Sequence, residues 1–92
     1  MHKLKPISKE GIPRALEKVE RYRLLNEPSE AESICRDILE VDSNHQKALV
    51  LLILTLSDQF SHGVTDKDAL TLLPKLQDTY QRAYYKGIIA FS

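Results

Sequence analysis

Tryptophan is absent from these 92 residues, and cysteine and methionine occur once each. A single thiol, Cys35, excludes an internal disulfide framework and fits a reducing compartment. Net charge is missing too, since 13 Lys and Arg balance 13 Asp and Glu, so no whole-molecule field draws the chain to nucleic acid or to an anionic membrane. Long hydrophobic runs are also lacking. The greasiest stretch, Ala48 to Leu56 with Thr55 its only polar member, falls far short of the roughly 18 apolar residues that cross a bilayer. The opening MHKLKPISKEGIP carries no apolar stretch of the signal-peptide kind. These absences predict a cytoplasmic protein without a membrane segment. Three glycines and four prolines leave no collagen-like or low-complexity segment, and 42% apolar with 28% charged residues suits one folded domain.

The usual equipment of catalysis is missing as well. There is no Gly-rich phosphate loop, no nucleophile elbow and no acid pair beside a histidine. His2, His45 and His62 lack the spacing that puts two imidazoles on one metal. Cys35 sits among Ala31, Ile34, Ile38 and Leu39 on an apolar face, the setting of a buried structural thiol and not of a reactive one. Asp66 and Asp68 suit the start of a helix, where they meet its dipole favourably. The chain predicts no enzyme, no metal and no cofactor.

What is present is helical periodicity. Residues 1–11 have none and predict a flexible lead-in, with order from about Ile12 in a single domain over 12–92. PRALEKVERYRLLNE then places Leu16, Val19, Tyr22 and Leu25 at helical spacing behind Pro13, predicting a helix over about 13–26. Ser29 with Glu32 reads as a capping box before Ala31, Ile34, Cys35, Ile38 and Leu39, predicting a second helix over 29–41. After the turn formers Asp42, Ser43, Asn44 and His45, the greasy run predicts a third helix over 45–59. Helix is preferred to strand there because the run outlasts a typical strand and few of its residues are β-branched. Ser61, His62 and Gly63 make a loop, and Thr65 or Asp66 caps a fourth segment over 66–91, kinked or briefly broken near Pro74. Within it Leu76, Tyr80, Ala83, Gly87 and Ala90 form one stripe of mostly small residues, flanked by Tyr84, Ile88 and Phe91.

The string EAESICRDILEVDSNHQKALVLL resembles the second helix, turn and following first helix of a tetratricopeptide repeat. Ala31 matches the small residue where paired helices touch, and Cys35 and Ile38 match core positions. Residues 39–44, LEVDSN, match the closing LELDPN of that family with Ser43 for its proline. Leu49, Leu52, Ile53 and Leu56 match the next first helix, and Ala69 and Leu73 repeat Ala31 and Cys35. The 38 residues from Ala31 to Ala69 exceed the family's period of about 34, the excess falling in a loop at 59–65. Val19 and Ile53 stand where the family places glycine. The resemblance implies an all-α stack of antiparallel helix hairpins, about four helices with a kinked C-terminal extension.

It also implies a concave groove, onto which Leu16, Val50 and Leu54 fall. Apolar residues facing solvent on a rigid helix imply a non-enzymatic protein interaction module, a scaffold or adaptor taking a protein or peptide partner. Glu20, Lys47 and Asp58 would form a polar rim, and Tyr84 and Tyr85 an extension of the surface. The bland alternative is that the C-terminal segment with Tyr80, Tyr84 and Ile88 folds over the groove. A subset of the family grips a partner's terminal carboxylate, but here Leu16, Glu20 and Leu51 occupy those positions, which disfavours that mode. The apolar ending GIIAFS suggests that a second copy covers it, as a homodimer without a separate ligand, or that the chain is a fragment of a longer repeat protein.

Charge is unevenly spread. Residues 1–23 hold seven Lys or Arg against three acids, and residues 27–42 six acids against Arg36 alone. The basic part invites comparison with nucleic-acid binders, but Glu10, Glu17 and Glu20 blunt it and no aromatic platform accompanies it. A solvated helix face is preferred. Opposite signs on the first two helices would help them pair, or help one subunit orient on another.

Overall fold

The computed structural model describes residues 7–60 and 66–90, and every regular element among them is helical. Order begins earlier than Ile12. The Ser8 hydroxyl accepts a hydrogen bond from the Gly11 N–H at 3.2 Å and starts a 3-10 turn, Lys9–Gly11, which runs directly into α1, Ile12–Leu24. Pro13 occupies the first turn, where its missing N–H costs nothing. Residues 1–6 of the lead-in expected over 1–11, the loop at 61–65 with its Thr65 cap, and Phe91 lie outside the described residues.

α1 stops at a Schellman motif. Asn26 takes the left-handed conformation at φ 61°, its N–H donates to the Arg23 carbonyl at 3.0 Å and the Glu27 N–H donates back to Tyr22 at 2.9 Å. Asparagine tolerates that conformation better than most side-chain-bearing residues. Pro28 follows and opens α2, Pro28–Val41. This overturns the capping box expected from Ser29 and Glu32. With the helix starting at Pro28, Ser29 lies inside the first turn, no side chain caps the end, and Glu32 is two residues beyond the position from which it could reach back. Glu32 instead accepts from Arg36 Nε at 2.8 Å and from Gln59 Nε2 at 3.0 Å.

The next turn behaves as its residues suggest. Asp42 Oδ1 accepts from the Asn44 N–H at 3.3 Å, and His45 Nδ1 accepts from the Ala48 N–H at 3.2 Å, capping α3, Gln46–Ser57. α3 is buried almost all round: Ala48, Leu49, Leu51, Leu52, Ile53, Thr55 and Leu56 are all inaccessible or nearly so. Helices 1, 2 and 3 pack in sequence order, α1 on α2 and α2 on α3, with α1 also reaching α3.

Of the kink or break expected near Pro74 the structure has the break, which divides the fourth segment into two helices. α4, Asp66–Leu70, ends before the proline, a 3-10 turn follows at Leu73–Lys75, and α5 runs from Thr79 to Ala90. Between them the chain turns extended at Leu76, whose side chain is fully buried. Asp78 starts α5 by accepting from the Tyr80 and Gln81 N–H groups at 2.8 and 3.1 Å. The break resets the helical phase, so the small-residue stripe expected on 80, 83, 87 and 90 does not pack inward. Tyr80, Ala83 and Ala90 are exposed, and nothing lies within 4 Å of where a Gly87 Cβ would be. Ile89 is the buried residue of α5, with Tyr85 half-buried against the core.

Gln46 ties the extended stretch to the bundle. Its side-chain amide donates to the Lys75 carbonyl at 3.3 Å and accepts from the Gln77 N–H at 2.8 Å, as a neighbouring strand would, on either side of Leu76. Arg82 completes the anchorage, donating to the Leu76 carbonyl at 2.6 Å.

Candidate functional site

On α3, Lys47, Leu51, Leu54 and Asp58 follow one another at spacings of four, three and four, which aligns them on one side of the helix or its immediate end. That side faces α1. Lys47 Nζ lies 3.6 Å from Glu20 Oε2, and Arg23 grips Asp58 with two contacts, Nε to Oδ2 at 2.9 Å and Nη2 to Oδ1 at 3.4 Å. Both partner numbers rise together, so α1 and α3 run in the same direction. Between the two ion pairs lies an open cavity of about 480 Å³, lined by Glu20, Arg23, Leu24, Leu51 and Leu54. Leu24 stands at its edge 88% exposed. The arrangement is an apolar strip framed at each end by opposite charges.

Not every residue expected on the groove is there. Leu16 is only 9% exposed and belongs to the core. Val50 is half-buried against the core and does not line the cavity, whereas Leu54 does. Glu20, Lys47 and Asp58 frame the strip, each already engaged in an ion pair. Tyr84 and Tyr85 sit apart on α5: Tyr84 stacks on Tyr80 at 6.4 Å between ring centroids and meets Tyr85 edge-on at 4.9 Å. No α5 residue lines the cavity, and Tyr80 and Tyr84 remain 77% and 52% exposed, so the C-terminal helix does not close it with its tyrosines.

Arg23 and Leu24 line the cavity outside every expected position, and Leu51, expected only to disfavour the grip on a terminal carboxylate, lines it as well. Leu51 carries a signal in its spacing from Lys47 and Leu54, four and three residues away. Leu24 carries one as an apolar residue outside the core series Ile12, Leu16 and Val19.

Two titratable groups are perturbed. Burial pushes the Cys35 thiol up to about 12, with Arg36 only partly opposing it. That thiol is fully inaccessible and stays un-ionised at neutral pH, as the apolar face around it predicts. For Glu32, burial works to raise the pKa, but the hydrogen bonds from Gln59 and Arg36 and the charge of Arg36 outweigh it and hold the carboxyl below its ordinary value. Among the described residues no three His, Cys, Asp or Glu come together in a way that could hold a metal ion, and no helix is long and apolar enough to cross a membrane.

Comparison of the chain with protein-family models, with curated proteins and with solved structures gives no match.

Proposed function

We propose that this protein is a non-enzymatic interaction module, built like a pair of tetratricopeptide-type hairpins, that takes an apolar segment of a partner protein in the channel between α1 and α3. The observation that carries this reading is Leu24, 88% exposed at the mouth of a cavity floored by Leu51 and Leu54. A large apolar side chain in water beside an apolar hollow has most to gain from being covered, about 1.5 to 3 kcal/mol for a leucine fully enclosed. The repeat-like design is supported by Ala31, Cys35 and Ile38, all fully buried at the positions where such hairpins pack. A cytoplasmic setting fits a chain whose single cysteine has no partner for an internal disulfide.

Recognition by this site is burial with polar framing. An amphipathic helix presenting apolar anchors three or four residues apart suits a strip whose own apolar residues, Leu51 and Leu54, are three apart. The Glu20–Lys47 and Arg23–Asp58 pairs hold α1 and α3 in register and offer one charge of each sign at either end of the strip, which orients the partner more than it tightens binding.

The test is selection of peptides from a random displayed library on the wild-type protein, followed by affinity measurement with Leu24→Asp. Because Leu24 is already in water, the variant is expected to keep its helix content and its stability to within about 0.5 kcal/mol. Selected peptides are expected to share apolar anchors and to lose about tenfold or more in affinity. Peptides that bind Leu24→Asp as well as wild type, or no enrichment at all, would remove the basis for this site.

A further inference from the structure

The α1–α2 hairpin carries exposed charges in a pattern that is complementary to itself. Arg14, Lys18 and Arg21 are all exposed and follow at spacings of four and three, so they form one basic ridge along α1, with exposed Glu17 as the acid on its flank. Glu30 and Asp37 are exposed and seven apart, two turns along one ridge of α2. Among the described residues none of these six is in an ion pair; the three pairs present use other side chains. Beside the basic ridge and reaching Ile34 of α2 lies a hollow of about 560 Å³, with Ile7, Ala15 and Ile34 as its apolar lining and Glu10, Arg14 and Lys18 as its charged lining.

The register of the ridges makes the pattern specific. The chain reverses between Leu24 and Pro28, so a residue of α1 lies level with the residue of α2 that is equally far from the turn. Arg21, three residues before Leu24, is then level to within one residue with Glu30, two after Pro28, and Arg14 is level to within one residue with Asp37. Both like-charged steps are seven residues, about 10.5 Å along a helix. We propose that a second copy of this chain docks on this hairpin about a two-fold axis running along it between the two helices. That operation places α1 of each subunit over α2 of the other without changing height. Arg21 meets the partner's Glu30, Arg14 meets the partner's Asp37, each pair occurs twice, and the two hollows close on one another with Ile34 at the centre.

A single subunit leaves these charges unpaired. A symmetric dimer satisfies both ridges at once, which a head-to-tail contact does not: that would leave one ridge free on each molecule and propagate. Two helices of about 20 Å side by side offer a small face by the standards of stable dimers. The dimer is therefore weak and salt-sensitive. The proposal does not depend on the α1–α3 channel, which lies on a different face of α1.

Sedimentation equilibrium in low and high salt, up to about millimolar protein, tests it with three charge-reversal variants. Arg14→Glu with Arg21→Glu, and separately Glu30→Lys with Asp37→Lys, are each expected to weaken dimerisation about a hundredfold. All four changes together restore complementarity and are expected to return the dimer to near the wild-type constant. Circular dichroism checks that every variant is folded, which the exposure of all four positions favours. A wild type that is monomeric throughout, a dimer indifferent to either reversal, a reversal not rescued by its complement, or growth beyond dimers overturns the proposal. So does a monomer whose basic ridge serves only to retain it on a heparin column. Leu24→Asp, which disables the channel, is expected to leave the dimer unchanged, so the two readings fail separately.

Discussion

Thr55 sits fully buried on α3, and its hydroxyl has no hydrogen-bond partner among the described residues. An unsatisfied buried hydroxyl costs about 1 to 3 kcal/mol, while valine has nearly the same shape and needs no partner. Thr55→Val is expected to raise the urea midpoint with no change in helix content, a gain of about 1 kcal/mol. A midpoint that stays put or falls would show that the hydroxyl is bonded after all. Nothing in the residue pattern announced this, because one threonine in an apolar helix commonly bonds to its own backbone. Cys35 is the opposite case. Its neighbours Ala31, Ile34, Ile38 and Leu39 share its face, and its burial and raised pKa of about 12 follow from them.

The helices themselves were legible to different degrees. Helices 1, 2 and 3 lie within a few residues of the spans their periodicity predicts, because an apolar series at helical spacing has to find a common core. Their ends were harder. Pro28 began α2 one residue before the expected serine, and His45, not an aspartate or asparagine, supplied the cap of α3. Beyond Pro74 the pattern misled, since three non-helical residues, 76–78, with Leu76 extended, shift every later side chain to a new face. What holds that region is Gln46 at the start of α3, whose amide brackets Leu76 by bonding Lys75 and Gln77, 29 and 31 residues further on. Gln46→Ala is expected to cost about 1 to 2 kcal/mol and to speed hydrogen exchange at the Gln77 amide while leaving amides in α1 nearly as protected as before. Unchanged exchange at Gln77 would mean that the clamp contributes nothing.

All five helices contribute to one core. The cluster that includes Val19, Cys35, Ile53, Ala69, Leu76 and Ile89 is continuous, and the Cα radius of gyration of 13.0 Å is near the roughly 12 Å of a compact single domain this long. A shared core unfolds as a unit. Tyr22 in α1 and Tyr80, Tyr84 and Tyr85 in α5 report on the two ends of the chain. Denaturation followed by tyrosine emission is expected to coincide with loss of far-ultraviolet circular dichroism, for the wild type and for Ile89→Ala, whose midpoint is lowered for both signals together. Separate transitions would show that α5 is an appendage and not part of the core.

The residues alone determined that the chain is helical, that Cys35 is inside, and that the run from Ala48 to Leu56 is a central helix, because periodicity and apolar content decide what must leave water. Tertiary structure alone decided which side of that helix borders the cavity: half-buried Leu54, with Leu51 beneath it in the core, rather than Val50, and with Leu16 sealed as well. A helix apolar nearly all round has no unique inner face of its own, so its neighbours choose. Here the choice is made by α1, drawn alongside by the Glu20–Lys47 and Arg23–Asp58 pairs and by Leu16 in the core, contacts between residues tens of positions apart that no local pattern encodes.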